Sequence, residues 1–211
     1  MTQALPESDQ FKRQLSQTPA SWATESARDL MALLSDHAHC ELKAGANAMT
    51  MLKRNPNRPG FALRLAPLIK EECDHLHRVL REIEMRGGVL AQDAPNPWAE
   101  GLHAAARKLP PVRLPHGGFL DVLLISALIE MRSHERFERL AECEAMRDLE
   151  SLYRNLCEAE ARHGLLFQEL ARETFPAAAV EERFALLAEQ EAVLMERLPP
   201  GPRIHSGVAG L

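Results

Sequence analysis

Glu72-Cys-Asp-His75 and Glu160-Ala-Arg-His163 share the pattern Glu-x-x-His, and their repetition decides how the chain is read. Residues three apart share one face of a helix, so carboxylate and imidazole can grip one ion. A single match means little: with 23 Glu and 9 His, roughly one is expected by chance. A third match, Glu100-Gly-Leu-His103, lies in a Pro-rich stretch and is taken as accidental. The spacing around the other two is specific. Glu41 precedes Glu72 by 31 residues, and Glu130 precedes Glu160 by 30. Each half therefore reads as Glu, about four helical turns out, a loop, four turns back, and Glu-x-x-His. In an antiparallel helical pair that spacing returns the chain to the same level.

Working outward, apolar residues keep a helical period from about Trp22 to Arg54, and Asn55-Pro-Asn-Arg-Pro-Gly60 breaks it. A second helix runs to about Arg86 and stops at Gly87-Gly88; Pro67 in its early part predicts a kink or a late start. Residues 89–116 carry five prolines and read as a long crossover with a short helix near Trp98–Lys108. A third helix is expected from Gly118 to about Glu144, a fourth from Arg147 to Glu173, and a fifth over Ala178–Leu198. No stretch alternates apolar and polar residues as a strand would. The fold class is all-α: a four-helix bundle with a long crossover between helices 2 and 3 and an additional C-terminal helix. The expected organisation is a flexible segment 1–20, one helical domain 21–198 and a tail 199–211.

Composition limits the function. The 211 residues are enough for one sizeable core, and 45% hydrophobic with 26% charged residues is ordinary for a globular chain. The net charge of −5 argues against a generic nucleic-acid binder, though not against a local basic patch. The longest apolar run, near Val122–Ile129, is far short of the roughly 20 residues that span a bilayer, and MTQALPESDQ does not resemble a secretory signal. A cytoplasmic location without membrane contact is expected. Cys40, Cys73, Cys143 and Cys157 form no CxxC pair and read as reduced, mostly buried thiols.

The apolar pattern places the same six residues inside. Glu41 falls in line with Leu34, Ala44, Ala48 and Leu52, and Glu72 with Leu65, Leu68, His75, Val79 and Ile83. Glu130 sits within Val122-Leu-Leu-Ile-Ser-Ala-Leu-Ile-Glu-Met131, while Glu160 and His163 align with Leu149, Leu156, Phe167 and Leu170. Four acids on inward faces are costly unless cations lie between them, and two divalent metals would balance their charge. Mixed carboxylate and imidazole ligation suits iron or manganese better than zinc. Asp36, His37, His39, Glu71, Asp74, His77, His134 and Glu135 are read as surface or supporting groups. An acid is expected on the free ring nitrogen of His75 or His163.

The order Glu, Glu-x-x-His, Glu, Glu-x-x-His resembles the ferritin-like di-iron carboxylate proteins over about residues 30–170. The resemblance implies two iron ions, with Glu72 and Glu160 bridging and Glu41, His75, Glu130 and His163 as terminal ligands. No catalytic residue is expected beyond this metal centre. Asp36-His-Ala-His-Cys-Glu-Leu-Lys-Ala44, Glu71-Glu-Cys-Asp-His75, Ile129-Glu-Met-Arg-Ser-His-Glu-Arg136 and Glu158-Ala-Glu-Ala-Arg-His163 narrow the match. They resemble the bacterial family of tRNA 2-methylthio-N6-isopentenyl-adenosine hydroxylases. That resemblance implies an O2-dependent monooxygenase that hydroxylates the isopentenyl side chain beside the anticodon. It also implies a tRNA anticodon stem-loop as partner and an external electron donor of the ferredoxin or reductase type.

A tRNA substrate calls for cationic contacts. The candidates are Lys53, Arg54 and Arg58 at the first hairpin tip and Arg132 and Arg136 on the third helix, with Arg107, Lys108 and Arg113 beside the crossover. Trp98 and Tyr153 are read as core residues rather than as a base-stacking platform and a radical site. Two alternatives remain at this level: hydroxylation of a quinone-like small molecule, and a non-catalytic iron-binding or ferroxidase protein.

Overall fold

The computed structural model describes residues 15–208 and contains only helices and connections among them. Helix α1 (Ser21–Ser26) leads through a 3-10 turn (Ala27–Asp29) into α2 (Leu30–Arg54). Then come α3 (Phe61–Met85), α4 (Pro97–Lys108), α5 (Gly117–Ala141), a 3-10 segment (Glu144–Leu149), α6 (Glu150–Thr174) and α7 (Ala177–Arg197). This is the expected all-α order, with differences where local chemistry intervenes. The anticipated first helix is interrupted at Asp29, whose carboxylate accepts from the Ala32 N–H at 3.0 Å and so caps a new helix. The third helix ends three residues before Glu144, and a 3-10 segment takes up the chain where the fourth was expected to begin.

Pro67 does not delay α3, which begins at Phe61 and passes through it. The ring removes one N–H, so the Leu63 carbonyl loses its intrahelical partner. Leu63 is 83% exposed, and water can take that place. The helix stops as the Gly-Gly pair predicts. Gly87 has φ 73°, its N–H donates to the Glu84 carbonyl at 2.9 Å, and the Gly88 N–H donates to the Ile83 carbonyl at 3.0 Å.

The chain divides into two compact units. One comprises Thr24–Pro95 with Gly201–Ile204; the other comprises Asn96–Pro200 with the described residues before Thr24 and after Ile204. The first is built on the antiparallel α2/α3 hairpin, whose register places Gly45 beside Glu72 and Met31 beside Gly88. The second is built on the antiparallel α5/α6 hairpin, with Gly164 beside Glu130 and Met131, and Phe137 beside Tyr153. Helices α4 and α7 pack on each other and on α5 within that second unit.

Of the start expected to be loosely held, residues 1–14 lie outside the described residues, as do residues 209–211 of the tail. Within the described part, the Thr18 N–H and hydroxyl donate to Glu135 at 2.8 and 2.6 Å. The stretch after Pro199 is also tied down. The Ile204 N–H donates to Asp36 at 2.8 Å, while the Trp22 indole N–H and the Arg136 guanidinium donate to the Ser206 hydroxyl and carbonyl.

Candidate metal centre

Each hairpin carries one carboxylate from its first helix and a Glu-x-x-His from its second. In the first unit Glu41 lies on α2, with Glu72 and His75 one turn apart on α3. The His75 Nδ1 is 3.5 Å from Glu41 Oε2 and 3.4 Å from Glu72 Oε2. In the second unit Glu130 lies on α5, with Glu160 and His163 on α6, where His163 Nδ1 is 3.8 Å from Glu160 Oε2. In each set, one donor atom per residue lies within 4.8 Å of the other two. Within each hairpin the antiparallel register produces this meeting, because the spacing of 31 residues in the first and 30 in the second takes the chain out and back to the same level.

All six groups are between 1% and 5% exposed. Burying an ionised carboxylate costs several kcal/mol even after relaxation, and two together in a dry hairpin repel. A triad of two carboxylates and one neutral imidazole carries a charge of −2, which one divalent cation balances. Oxygen-rich ligation with a single imidazole matches iron or manganese. Each triad thus fits one such ion, and the pair of triads carries the donor set of a di-iron carboxylate centre.

His37, classed from sequence with the surface or supporting groups, is fully buried, and its Nε2 lies 2.7 Å from Glu41 Oε1. The carboxylate is thereby oriented, with its other oxygen towards His75. The signal was present in the i,i+4 spacing of His37 and Glu41, but many surface pairs share that spacing. Cys40, next to Glu41, is not drawn into the set. Burial, reinforced by the Asp36 and Glu41 carboxylates, pushes its thiol well above the ordinary value and keeps it protonated. Burial likewise raises Asp36, partly offset by the hydrogen bond from the Ile204 N–H.

Lys53 and Arg54 are exposed at the α2–α3 tip, and Arg58 is half-buried with its Nε donating to Asn55 Oδ1 at 3.0 Å. Arg132 and Arg136 require correction: both are fully buried and cannot reach a nucleic-acid backbone. Arg132 grips Glu191 with two bonds of 2.9 Å and Glu135 with a third. Arg136 stacks over the Trp22 ring at 4.1 Å; burial and the neighbouring Arg132 push its guanidinium down to about 9. Glu135, set aside as a ligand, is buried as the partner of Arg132. Trp98 is buried and stacked on His205 at 4.3 Å, and Tyr153 packs on Phe137 at 5.5 Å, so both are core residues. Glu100 and His103 of the third Glu-x-x-His are exposed on α4. The four cysteines are free, three of them half-buried and Cys73 exposed. Among the described residues no helix is long and apolar enough to cross a membrane.

Residues 3–206 match the model of the family described as tRNA-(MS[2]IO[6]A)-hydroxylase (MiaE). A Pseudomonas putida protein named tRNA 2-(methylsulfanyl)-N(6)-isopentenyladenosine(37) hydroxylase is 30% identical over 97% of this chain and 96% of its own. Its Salmonella typhimurium namesake is 29% identical over 90% of this chain and 86% of its own. Among solved structures, "Protein 43 with aldehyde deformylating oxygenase activity from Synechococcus" superposes with a TM-score of 0.83 at 34% identity. That match covers 93% of this chain and 98% of the other, and its fold is ferritin-like. With both Glu, Glu-x-x-His sets buried on their hairpins and the match running through nearly the whole sequence, the chain belongs to the MiaE family of tRNA hydroxylases.

Proposed function

We propose that this protein is an O2-dependent di-iron monooxygenase that hydroxylates the isopentenyl side chain of 2-methylthio-N6-isopentenyl-adenosine beside the tRNA anticodon. The observation that carries this is the pair of buried Glu/Glu/His triads in a chain that matches the hydroxylase family from residue 3 to residue 206. In this reading the two hairpins form the single domain 21–198, with 199–211 as its tail. Glu41, Glu72, His75, Glu130, Glu160 and His163 are the residues that would hold the two iron ions.

When bound, reduced iron supplies O2 activation for insertion of oxygen into an unactivated C–H bond. The chain supplies the rest. His37 holds Glu41 by the 2.7 Å contact and fixes which oxygen faces His75. Leu34, Ala38 and Ala48 around Glu41, Leu65 and Val79 around Glu72, and Leu156 and Phe167 around Glu160 are buried and keep water from the ligands. Electrons come from an external ferredoxin or reductase, and the lack of a nucleotide-cofactor motif in the sequence is in keeping with that. Lys53, Arg54 and Arg58 are the phosphate contacts, and the reaction takes place in the cytoplasm, where tRNA is modified.

Modified-nucleoside analysis of a deletion strain tests this reading. Hydroxylated isopentenyl-adenosine is expected to vanish and to return on complementation; unchanged levels in the deletion strain would overturn the proposal. A second reading follows from the 34% identity to a protein with aldehyde deformylating oxygenase activity. Iron-loaded enzyme given a reductant, O2 and either substrate-bearing tRNA or a long-chain aldehyde separates the two, since only the true substrate is consumed.

A further inference from the structure

From Leu42 to Lys70, over much of α2 and α3 and the loop that joins them, the chain holds six cations and no acid, although its net charge is −5. Lys43 is taken up by Asp93 at 2.6 Å. Lys53 and Arg54 end α2, Arg58 lies in the loop, Arg64 sits on the first turn of α3, and Lys70 follows nearly two turns later. Lys53, Arg54 and Lys70 are exposed, and their side chains make no hydrogen bond or ion pair among the described residues. The matching bend of the second hairpin, residues 141–150, has the opposite sign, with Glu142, Glu144, Asp148 and Glu150 against Arg147 alone. We propose that the cationic tip of the α2/α3 hairpin grips the backbone of the paired stem beside the reacting loop, so that the enzyme recognises a duplex held at a fixed distance from the modified adenosine. This assignment rests on tRNA being the substrate.

The distance follows from helix geometry. Glu41 and Arg54 are 13 residues apart on α2, and Glu72 and Phe61 are 11 apart on α3. At 1.5 Å per residue the tip stands about 16–20 Å from the buried donors of the same hairpin. Each strand of a nucleic-acid duplex places a phosphate about every 3.4 Å of axis, so this reach corresponds to roughly five or six nucleotides. The adenosine beside the anticodon lies at the stem end of its loop, and at that distance from it the RNA is paired. Duplex RNA is held chiefly through its shape and its phosphates, which suits a tip that carries cations and whose one aromatic ring, Phe61, is buried. Packed helix axes stand about 8–10 Å apart, so Arg54 and Arg64 can meet different phosphates of one strand. Part of the charge has a local use, since Lys53 and Arg54 offset the carbonyl end of the α2 dipole. Arg64 has no such use: it falls at the amino end of α3, where a cation is disfavoured and the first turn holds no acid.

Binding of the iron-loaded protein to an anticodon stem-loop bearing the modified adenosine, measured against salt concentration, tests the tip. With Lys53→Ala and Arg54→Ala combined, the slope of log affinity against log salt is expected to flatten by roughly one for each cation removed, and binding at low salt to weaken by about tenfold. A loop-only oligonucleotide of the same loop sequence has no stem to grip, so parent and double variant should share one slope with it. Arg147→Ala, at the bend of the second hairpin, should leave the stem-loop slope as it is. Iron content should match the parent throughout. An unchanged slope in the double variant with the stem-loop, or an equal flattening with the loop-only oligonucleotide, overturns the proposal. Hydroxylated product is read in the same samples. Product from the parent with no change of slope removes the tip and keeps the activity, whereas no product from the parent overturns the tRNA reading and the tip with it.

Discussion

The α2/α3 and α5/α6 hairpins carry the same Glu, Glu-x-x-His donors at nearly the same spacing, yet they are buried differently. Helix α2 buries 9 of its 25 residues and α5 buries 18 of 25, so one presents a stripe and the other is covered nearly all round. Within its unit α5 packs against α4 and α7 as well as α6. Arg132, Glu135 and Arg136 on it are therefore taken out of water. Arg132, Glu135 and Glu191 satisfy one another in the interior, with Thr18 and the Ser16 carbonyl completing the network. In the first hairpin the polar support is aimed at the ligand instead, through His37 on Glu41. A common donor set thus sits on two kinds of scaffold: one braced at the Glu41 carboxylate itself, the other braced by an ion network beside the donors.

The largest expected effect tests whether the two triads are equivalent. Glu72→Ala in the first and His163→Ala in the second should each lose bound iron and about a hundredfold or more in hydroxylation, because removing a ligand exceeds the 10–100-fold typical of losing its support. Metal analysis and turnover assays measure both. Full iron loading in both variants would reject these ligands, and loss in only one would break the symmetry.

Next in size is the ion network. Arg132→Ala leaves Glu135 and Glu191 buried without their cation and should cost roughly 3–5 kcal/mol in denaturant unfolding. Arg54→Ala, at the exposed tip of the other hairpin, should stay within about 0.5 kcal/mol of the parent. Equal effects would show that the difference in burial does not govern stability.

The smallest effect sharpens the contrast at the ligand. His37→Leu should weaken iron binding by roughly tenfold. His37→Gln, which keeps a donor towards Glu41, should restore part of that affinity. Iron titration of both variants reads the result, and unaltered affinity in His37→Leu would remove His37 from the site.

Most of the helical order was legible because its signals are local. The apolar period, the Asn55–Gly60 break and the Gly87-Gly88 stop each act within a turn or two of chain. The burial of the six acids and histidines, and their meeting within each hairpin, was legible because their spacing repeats. The interruption at Asp29 was harder to see, since a single capping carboxylate decides it within an otherwise continuous period. Arg132 and Arg136 were misplaced on the surface because charge normally marks a solvated face. Their partners lie far along the chain, Glu191 59 residues from Arg132 and Ser206 70 residues from Arg136, and no local pattern announces them.

The sequence by itself determined that the chain is helical and that two nearly equal spacings bring Glu, Glu and His together, because helix period and hairpin register depend on neighbours along the chain. Tertiary structure alone decided which remaining charged groups serve as buried struts, which brace a ligand and which face water. Those roles depend on desolvation and pairing between distant segments, where a buried charge is tolerated only if its partner is brought to it by the fold.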